Sequence, residues 1–453
     1  MITYSIIQKS QLEGALRLDA EYYQPEYLEV ISKLKSQKSK QLGEIGKVAY
    51  GTTPPGGIFE QKGIPFVRSQ NFFNLLIDTS NIVFCTENFH KQNKKSAIRP
   101  GDILFAAVGA TIGELAIVQD EIKEGNINQN IARVRIIDGS INPYFVGFFF
   151  ASRVGQLQIE RFITGNAQPY LNSEQIKSLI VPVMDPKKQN EIANYFQEIQ
   201  NQIKFSNFFY SQAENLLLEE LGLKDFKIED DLSYIVNLSE IKSAHRADAE
   251  YFQPKYEKLI SKIKCKIEKL ANLLLQKGGI RKGIEIGSEQ YQEEGKLFIR
   301  VSNLSKHGLI ERDQKYLSEE LYQKLRKDFE PKVGEILLTK DATPGIAYFL
   351  KEPVEGIIAG GILRLKLKSD INPEYLTLVI NSMVGQMQVE RDTGGSVIFH
   401  WRPDQIKNLL IPIPPKSTQQ KIADLVQKSH EARKKAKELL EKAKQKVEEL
   451  IEK

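Results

Sequence analysis

Two long stretches of the chain place apolar residues at steps of three and four, the spacing of one helix face. The first follows Pro186 and meets no proline or glycine before Gly222, and the second follows Pro415 and runs to the C-terminus. Each begins after proline, which is a normal helix-entry signal. We therefore predict helices over residues 184–222 and 414–453. Their apolar positions are Ile192, Tyr195, Phe196, Ile199, Ile203, Phe209, Ala213, Leu216 and Leu217, and Ile422, Leu425, Ala432, Ala436, Leu439, Leu440, Ala443, Val447, Leu450 and Ile451.

Each predicted helix is roughly 35 residues long, or about 50 Å at 1.5 Å per residue. It carries one narrow apolar stripe, and Glu and Lys follow each other closely on the opposite face. Two such helices can bury their stripes on each other as a coiled coil. The alternative, in which each helix packs back on its own globular domain, stays open.

Shorter apolar runs alternate with loops of Gly, Pro and Thr, a pattern that predicts β-strands. The loops include residues 51–57 and 278–279, and a helical pattern returns from Pro143 to about Glu160. The pattern predicts a mixed α/β (α+β) fold rather than a regular parallel sheet. The predicted strands cover residues 64–68, 103–107, 115–118, 131–137, 297–301, 336–339 and 362–367.

The chain repeats itself with a period of about 230 residues. The opening Asp-Ala-Glu-Tyr-Tyr-Gln-Pro at 19–25 is matched at 248–254, and residues 154–161 match 384–391 at six of eight positions. This period is too long for a solenoid repeat and indicates a tandem duplication. We predict a first globular domain at 1–183, a helix at 184–222, a second globular domain at 223–413 and a helix at 414–453.

The amino-acid composition limits the cellular compartments and the binding partners that suit this protein. The 453 residues are 41% hydrophobic and 27% charged, as in ordinary globular proteins. The only cysteines, Cys85 and Cys265, exclude a disulfide scaffold and suit a reducing compartment. The apolar run at 144–151 is too short to span a bilayer, and the first residues lack a signal-peptide pattern. We therefore expect a cytoplasmic protein, whose net charge of +5 permits a polyanionic partner.

Motifs that usually carry catalysis are absent from the sequence. It has no phosphate-binding GxxxxGK[ST] loop and no GxSxG elbow, and its five histidines lack metal-ligand spacing. Asn142-Pro143-Tyr144 is similar to the loop with which amino-methyltransferases hold a flipped base, but the second proline of that loop is missing. We prefer an ordinary helix start, with Asn142 as the N-cap and Pro143 in the first position.

Two related domains without a catalytic constellation favour a binding protein, and two spaced targets fit DNA. Side chains that pair with base edges follow a predicted strand in both copies, as in Arg68-Ser-Gln-Asn71 and Arg300-Val-Ser-Asn303. Nearby basic residues suit phosphate contacts. For any one of these residues alone, a solvated surface role stays open, so the hypothesis rests on the matched position.

Base readout is expected where the copies diverge, mainly at 40–99 and 267–329, including the loops at 50–57 and 277–282. A scaffold that meets identical partners can be repeated, whereas a surface that reads two different half-sites cannot. The candidate DNA-binding residues are Thr52, Thr53, Arg68, Gln70, Asn71, Lys91, Asn93, Lys94, Lys95, Arg99, Lys277, Arg281, Lys282, Arg300, Ser302, Asn303, Lys306, His307, Lys324 and Arg326.

The duplicated order of these motifs resembles the specificity subunits of type I restriction–modification systems over nearly the whole chain. The segments that carry the resemblance are the two Asp-Ala-Glu-Tyr-[Tyr/Phe]-Gln-Pro openings, Gly101–Leu104 with Gly334–Leu337, the exits at Pro182 and Ile411–Pro415, and the helix starts at Gln189 and Gln419.

The resemblance implies two similar target recognition domains with pseudo-two-fold symmetry, each reading one half of a bipartite asymmetric DNA site. It implies that the two long helices form an antiparallel coiled coil that sets the spacing. The chain would not be an enzyme. It would dock two modification (methyltransferase) subunits, which methylate adenine, and motor-nuclease restriction subunits would join them. S-adenosylmethionine, ATP and Mg²⁺ are expected in those partners, with no cofactor or metal in this chain.

Two alternatives remain open. One is a duplicated protein-interaction scaffold without sequence-specific DNA binding, which equal binding to all DNA sequences would favour. The other is a self-contained enzyme with an unrecognised site, which methyl transfer or cleavage by the purified chain would favour.

Overall fold

In the computed structural model, the two apolar stripes form two long helices, Pro186–Leu221 and Lys416–Glu452. The structure describes residues 4–13, 17–109, 111–163, 170–368, 370–393 and 400–452. The chain divides into unit 1, Met1–Ile203 with Lys434–Lys453, and unit 2, Lys204–Arg433. Each long helix therefore contributes one part to each unit.

The helices are antiparallel, as the packing inside each unit shows. In unit 1, Phe196 near the start of the first helix shares a core with Val447 near the end of the second. In unit 2, Leu217 near the end of the first helix shares a core with Ile422 near the start of the second. Both cores also contain residues of the globular part. Within each unit, the apolar stripes therefore pack both on each other and on the globular part.

Unit 1 alternates short helices and strands. Its helices are α1 (Pro25–Ser36), α2 (Leu42–Ile45), α3 (Glu87–Gln92), α4 (Pro143–Ala151), α5 (Arg153–Ile163), α6 (Ser173–Ser178) and the first part of α7 (Pro186–Leu221). Its strands are β1 (Ser39–Gln41), β2 (Gly46–Tyr50), β3 (Ile64–Val67), β4 (Phe72–Phe73), β5 (Leu76–Ile77), β6 (Val83–Cys85), β7 (Ala97–Ile98), β8 (Ile103–Ala106), β9 (Leu115–Ile117), β10 (Gly125–Ile127), β11 (Ile131–Ile136) and β12 (Ile180–Pro182).

Unit 2 follows the same order. Its helices are α8 (Leu238–Ala244), α9 (Pro254–Ser261), α10 (Leu270–Leu273), α11 (Glu319–Phe329), α12 (Pro373–Asn381), α13 (Met383–Thr393), α14 (Pro403–Lys407) and the first part of α15 (Lys416–Glu452). Its strands are β13 (Lys266–Lys269), β14 (Ile280–Lys282), β15 (Lys296–Ile299), β16 (Leu304–Ser305), β17 (Gly308–Leu309), β18 (Lys315–Leu317), β19 (Ile336–Thr339), β20 (Ala347–Phe349), β21 (Gly356–Ile358), β22 (Ile362–Leu365) and β23 (Leu410–Ile413).

The sheets of the two units have matching topology. The order β2-β11-β8-β9 in unit 1 corresponds to β14-β22-β19-β20 in unit 2, and β6-β3-β10 corresponds to β18-β15-β21. In each unit one pair is parallel, β3 with β10 and β15 with β21, among otherwise antiparallel neighbours. The predicted duplication and the mixed fold are confirmed. The match includes residues 40–99 and 267–329, where the two copies diverge in sequence.

Matched glutamines join each long helix to its globular part. The Gln189 carboxamide accepts the N–H of Asn142 at 2.8 Å and donates to the Met184 carbonyl at 2.9 Å. Gln419 makes the equivalent contacts with Asn372 and Pro414. Both glutamines are buried, and Asn142 and Asn372 are N-caps of α4 and α12. The predicted helix start at Asn142-Pro143 is therefore confirmed.

Unit 2 contains a buried polar junction where the β16–β17 hairpin meets the long helices. The Nε2 of His430 lies 3.3 Å from the Lys306 carbonyl oxygen, and its Nδ1 lies 3.9 Å from the Glu374 carboxylate, which also contacts Lys351. Burial, with the nearby Lys351 and Arg433 charges, lowers the pKa of His430 to about 4, although the Lys306 carbonyl opposes the shift.

The equivalent place in unit 1 has Asp120 as its acidic residue and an uncharged glutamine in place of the histidine. Gln200 occupies the position of His430 in the repeat, and its carboxamide oxygen accepts the N–H of Asp120 at 3.4 Å. Tyr144 occupies the position of Glu374 and stacks on Phe196 with ring centroids 4.6 Å apart. Of these two junctions, that of unit 2 contains the histidines His430 and His307, and burial lowers the pKa of both, so their protonation opposes folding.

We expect the stability of unit 2 to fall as the pH is lowered, and His430→Gln to remove part of this dependence. The unfolded histidine binds a proton near pH 6.5 and the folded one near pH 4, so acidification across this window favours the unfolded state by up to roughly 3 kcal/mol. Hydrogen exchange of the unit 2 strands at pH 7 and pH 5 measures the effect.

His245→Asn is the matched control, because His245 is exposed and has a left-handed backbone that asparagine tolerates. This control should keep the full pH dependence. If His430→Gln also keeps it, buried His430 is not its source.

Candidate nucleic-acid interface

One edge of each unit gathers loops from separate parts of the chain, and we call it the strand-end frame. In unit 1 it comprises residues 51–53 after β2, 107–108 after β8, the β10–β11 turn at 128–130, and residues 170–171. In unit 2 it comprises residues 283–285, 340–341, 359–361 and 400–401. The β-bridges Val108–Tyr170 and Asp341–His400 lie at equivalent positions in the two frames.

The same backbone hydrogen bonds hold both frames. In unit 1 the N–H to carbonyl pairs are Gly51 to Ile131 (3.1 Å), Thr52 to Ile127 (3.0 Å), Ala107 to Asn130 (2.8 Å), Asn128 to Val67 (3.3 Å), Ile131 to Asn128 (3.1 Å) and Leu171 to Ala107 (3.0 Å). In unit 2 they are Gly283 to Ile362 (3.1 Å), Ile284 to Ile358 (3.0 Å), Lys340 to Gly361 (2.9 Å), Ala359 to Ile299 (2.8 Å), Ile362 to Ala359 (3.0 Å) and Trp401 to Lys340 (2.8 Å).

A glycine is required where the loop after β2 or β14 crosses the turn of the frame. A Cβ on Gly51 would lie 2.1 Å from the Asn128 carbonyl oxygen, and one on Gly283 would lie 2.2 Å from that of Ala359. These separations are far below van der Waals contact. The absence of a side chain at both positions therefore lets the two loops meet.

The unit 1 frame presents neutral polar and aromatic groups. The Thr53 hydroxyl contacts the Gln129 carboxamide, and Gln129 is otherwise exposed. The Asn128 Oδ1 is buried and has no hydrogen-bond partner among the described residues. The Tyr170 ring is half exposed, with its centroid 6.2 Å from that of Tyr50.

The unit 2 frame presents charged groups at equivalent positions. The Asp341 carboxylate contacts the Lys340 ammonium and lies 2.8 Å from the Nδ1 of His400. Partial burial alone would raise the pKa of Asp341, but the contacts with Lys340 and His400 lower it below its ordinary value. Glu285 lies 3.7 Å from Lys282. Asp341 is therefore an ionised hydrogen-bond acceptor near neutral pH.

The structure places Thr52, Thr53 and Lys282 in or beside the frames. Arg68 and Arg300 follow the parallel strands β3 and β15, and their backbone N–H groups donate to Asn71 at 2.9 Å and Asn303 at 3.2 Å. These two asparagines are buried, so they stabilise their loops, a role that the sequence analysis did not assign. A DNA contact by any of these residues stays a prediction.

Other predicted residues lie on the helices that follow β6 and β18. Lys91, Lys94, Lys95 and Arg99 on and after α3 are exposed. The partly exposed Asn93 donates to the Phe89 carbonyl at 2.9 Å. On α11, Lys324 is exposed, and Arg326 lies 5.2 Å from the ring centroid of Tyr322. The basic residues of α3 and its following turn are thus exposed in unit 1, and those of α11 are exposed in unit 2.

The remaining predicted residues do not join either group. Lys277 precedes β14 and Arg281 is its middle residue, whereas Gln70 and Ser302 are exposed on short turns. Lys306 and His307 pack against the long helices, with the Lys306 ammonium 4.3 Å from the Tyr210 ring centroid. Their proposed DNA contacts also stay predictions.

The sequence analysis missed frame residues that lie outside its divergent segments. The matched offsets of the repeat already pair Val108 with Asp341 and Tyr170 with His400. These pairs directly follow or precede segments that the copies share, so a position-by-position comparison of the copies would have found them. The segments predicted to read bases, 40–99 and 267–329, do not include these four residues.

Two classes of site lack support in the part of the chain that the structure describes. Among these residues, no group of three or more His, Cys, Asp or Glu side chains has a geometry that could hold a metal ion. No helix in the same ranges is long and apolar enough to cross a membrane.

Comparison with known proteins defines the class. Residues 35–215 and 278–448 both match the family model of the type I restriction modification DNA specificity domain. The chain belongs to this family, and its role lies in DNA sequence specificity. Specificity subunits of such systems are generally non-catalytic.

Particular relatives cover one or both repeats. The chain is 26% identical over 170 residues to the EcoBI specificity subunit of Escherichia coli, in a match covering 38% of this chain and 35% of that protein. It is 25% identical over 408 residues to the MjaIX specificity subunit of Methanocaldococcus jannaschii, covering 86% of this chain and 85% of that one. The crystal structure of the S subunit from M. genitalium aligns with a TM-score of 0.42 and 12% identity, covering 90% of this chain and 95% of that one.

We expect Gly51→Ala to open the unit 1 frame while the rest of the unit stays folded. The added Cβ would overlap the Asn128 carbonyl oxygen, and relieving such overpacking typically costs about 1–3 kcal/mol. Hydrogen exchange should show faster exchange of the Thr52 and Asn128 amides. Gly139→Ala is the control, since a Cβ there has no neighbour within 4 Å. Unchanged exchange in Gly51→Ala would contradict the close approach.

Proposed function

We propose that this chain is the DNA-recognition subunit of a type I restriction–modification complex. Each unit reads one block of a bipartite asymmetric sequence, and the chain directs methylation and restriction by partner subunits. The observation that carries the proposal is the strand-end frame, which recurs with the same six backbone hydrogen bonds but with different side chains.

A repeated backbone with changed side chains suits the reading of two unlike half-sites. Base edges in the major groove differ in their pattern of hydrogen-bond donors and acceptors, so different side chains on one backbone select different bases. The common frame would give both units one mode of approach to DNA. The changed side chains would make the recognised sequence asymmetric.

The exposed basic residues of α3 in unit 1 and of α11 in unit 2 support the affinity of this complex for DNA. Exposed lysines contact phosphates without reading sequence, and they fix the position of a protein on the duplex. In this proposal Lys94, Lys95 and Lys324 have that role. Because the net charge is only +5, much of the binding energy comes from the partner subunits.

Two modification subunits bind this chain in our proposal, because the repeated parts of the two units offer the same surface twice. They supply methyl transfer to adenine from S-adenosylmethionine, and motor-nuclease subunits supply ATP- and Mg²⁺-dependent restriction. This chain contributes recognition and performs no catalytic step.

The two long helices act as a spacer ruler. At 1.5 Å per residue, 36 residues of α7 extend about 50 Å, comparable to roughly 15 base pairs of B-DNA at 3.4 Å each. Both helices pass from one unit to the other, so their length would set the number of unread base pairs between the blocks.

Adenine methylation in cells with this chain and its modification subunit should depend on the chain. We expect methylated adenines in one motif of two short defined blocks around a fixed undefined spacer, because each unit reads one block. Genome-wide methylation mapping with and without the chain measures this.

The control is the same modification subunit with another specificity subunit, which must be active. If that control methylates DNA while this chain produces no motif, the proposed recognition role is wrong. A duplicated protein-interaction scaffold would then describe the chain better.

Lengthening both helices by four residues should lengthen the spacer without changing either block. Four residues add about 6 Å, or one to two base pairs. The insertions go between Ile203 and Lys204 and between Arg433 and Lys434, where each helix passes from one unit to the other. Four residues inserted at the Gly139 turn serve as the control and should leave the spacer unchanged. An unchanged spacer in the variant with lengthened helices would refute the proposal that helix length sets the spacer.

A further inference from the structure

We propose that the side chains of the strand-end frames determine specificity, with an amide reading adenine in one block and carboxylates reading cytosine in the other. This inference rests on the proposed DNA-recognition function and assigns the bases by chemical class. In unit 1 the reading group is the exposed amide of Gln129. In unit 2 the reading groups are the carboxylates of Glu285 and Asp341.

The backbone hydrogen bonds make these positions equivalent. The loops containing Thr53 and Glu285 make matching bonds to the ends of β10 and β21. The turn Asn128-Gln129-Asn130 corresponds to Ala359-Gly360-Gly361. Unit 1 therefore has its polar side chains on the turn, whereas unit 2 has a bare turn with acidic side chains on the loops beside it.

The glycines of the unit 2 turn lack side chains and so leave space for the two carboxylates. A Cβ on Gly360 would lie 1.9 Å from the Oε1 of Glu285, and one on Gly361 would lie 3.6 Å from the Oδ2 of Asp341. A side chain at Gly360 would require the flexible end of Glu285 to move, whereas one at Gly361 would meet Asp341 at an ordinary van der Waals distance.

Carboxylates at a DNA surface need neighbouring cations, and the unit 2 frame provides them. Asp341 has Lys340 and His400 beside it and keeps its side chain 21% exposed. Glu285 has Lys282 beside it and is 76% exposed. The cations offset repulsion from phosphates. An ionised carboxylate only accepts hydrogen bonds, and in the major groove cytosine offers N4–H donors to it.

The unit 1 frame has the chemistry for adenine. A side-chain amide accepts from adenine N6 and donates to adenine N7, which is the pairing preferred by Asn and Gln. The exposed Gln129 is free to turn toward a base apart from its contact with Thr53.

Methylation mapping in the complete complex tests the two assignments separately. Asp341→Asn replaces an acceptor-only group with an amide of the same shape. We expect it to relax a C·G position in one block, raising methylation at sites with another base pair there by about tenfold or more relative to the cognate site. Gln129→Ala should relax an A·T position in the other block. Glu285→Gln is a second, independent variant for the unit 2 block.

Matched controls lie outside the frames. Glu320→Gln makes the same carboxylate-to-amide change on the exposed face of α11, and Gln92→Ala removes an exposed amide of α3. Both should leave the motif unchanged. Because the wild-type complex is mapped in parallel, loss of its bipartite motif would refute the proposed function itself.

If the wild-type motif persists, either of two results would overturn the specificity assignment. One is an unchanged motif in Asp341→Asn, Glu285→Gln and Gln129→Ala. The other is relaxation of the same block, or of both blocks alike, by the unit 1 and unit 2 variants. Relaxation at an A·T pair in Asp341→Asn would also overturn the cytosine assignment.

Discussion

The burial of two apolar helix stripes is the constraint on which both units depend. Each stripe is divided between the units, so each core needs residues from both long helices. In unit 1 the Gln37 carboxamide donates to the carbonyl of Ile451 at 2.8 Å, which ties an early segment to nearly the last helical turn. The unit 1 core is therefore complete only when the C-terminal helix is present, and a truncated chain leaves Phe196 and its neighbours exposed.

The two strand-end frames share one backbone path but carry different side chains. Backbone hydrogen bonds and the glycines Gly51 and Gly283 fix the path of the loops in both units. The side chains on that path then differ, neutral in unit 1 and charged in unit 2. The same difference appears at the junction with the helices, where Gln200 in one unit corresponds to buried His430 in the other. The duplication thus keeps backbone geometry and leaves side-chain chemistry free to change.

The predicted site and the structural one overlap only in part. Thr52, Thr53 and Lys282 were found because they lie where the copies diverge. Asp341 and His400 were not among the candidates because base readout was expected mainly at 40–99 and 267–329, and both residues lie outside those stretches. Asn71 and Asn303 were chosen for amide chemistry, yet both are buried, since the same group also caps the loop after a strand. Residue type in a matched position therefore did not separate loop support from exposed chemistry.

The sequence by itself determined the two long helices, the duplication, seven of the strands and the helix start at Asn142. These features depend on local spacing, on capping or on direct comparison of the two copies. Only the tertiary structure decided which loops meet, because each frame joins four segments spread over more than a hundred residues. It also decided which polar groups are buried, since the low pKa of His430 comes from the hairpin and charges packed around it rather than from its neighbours in the chain.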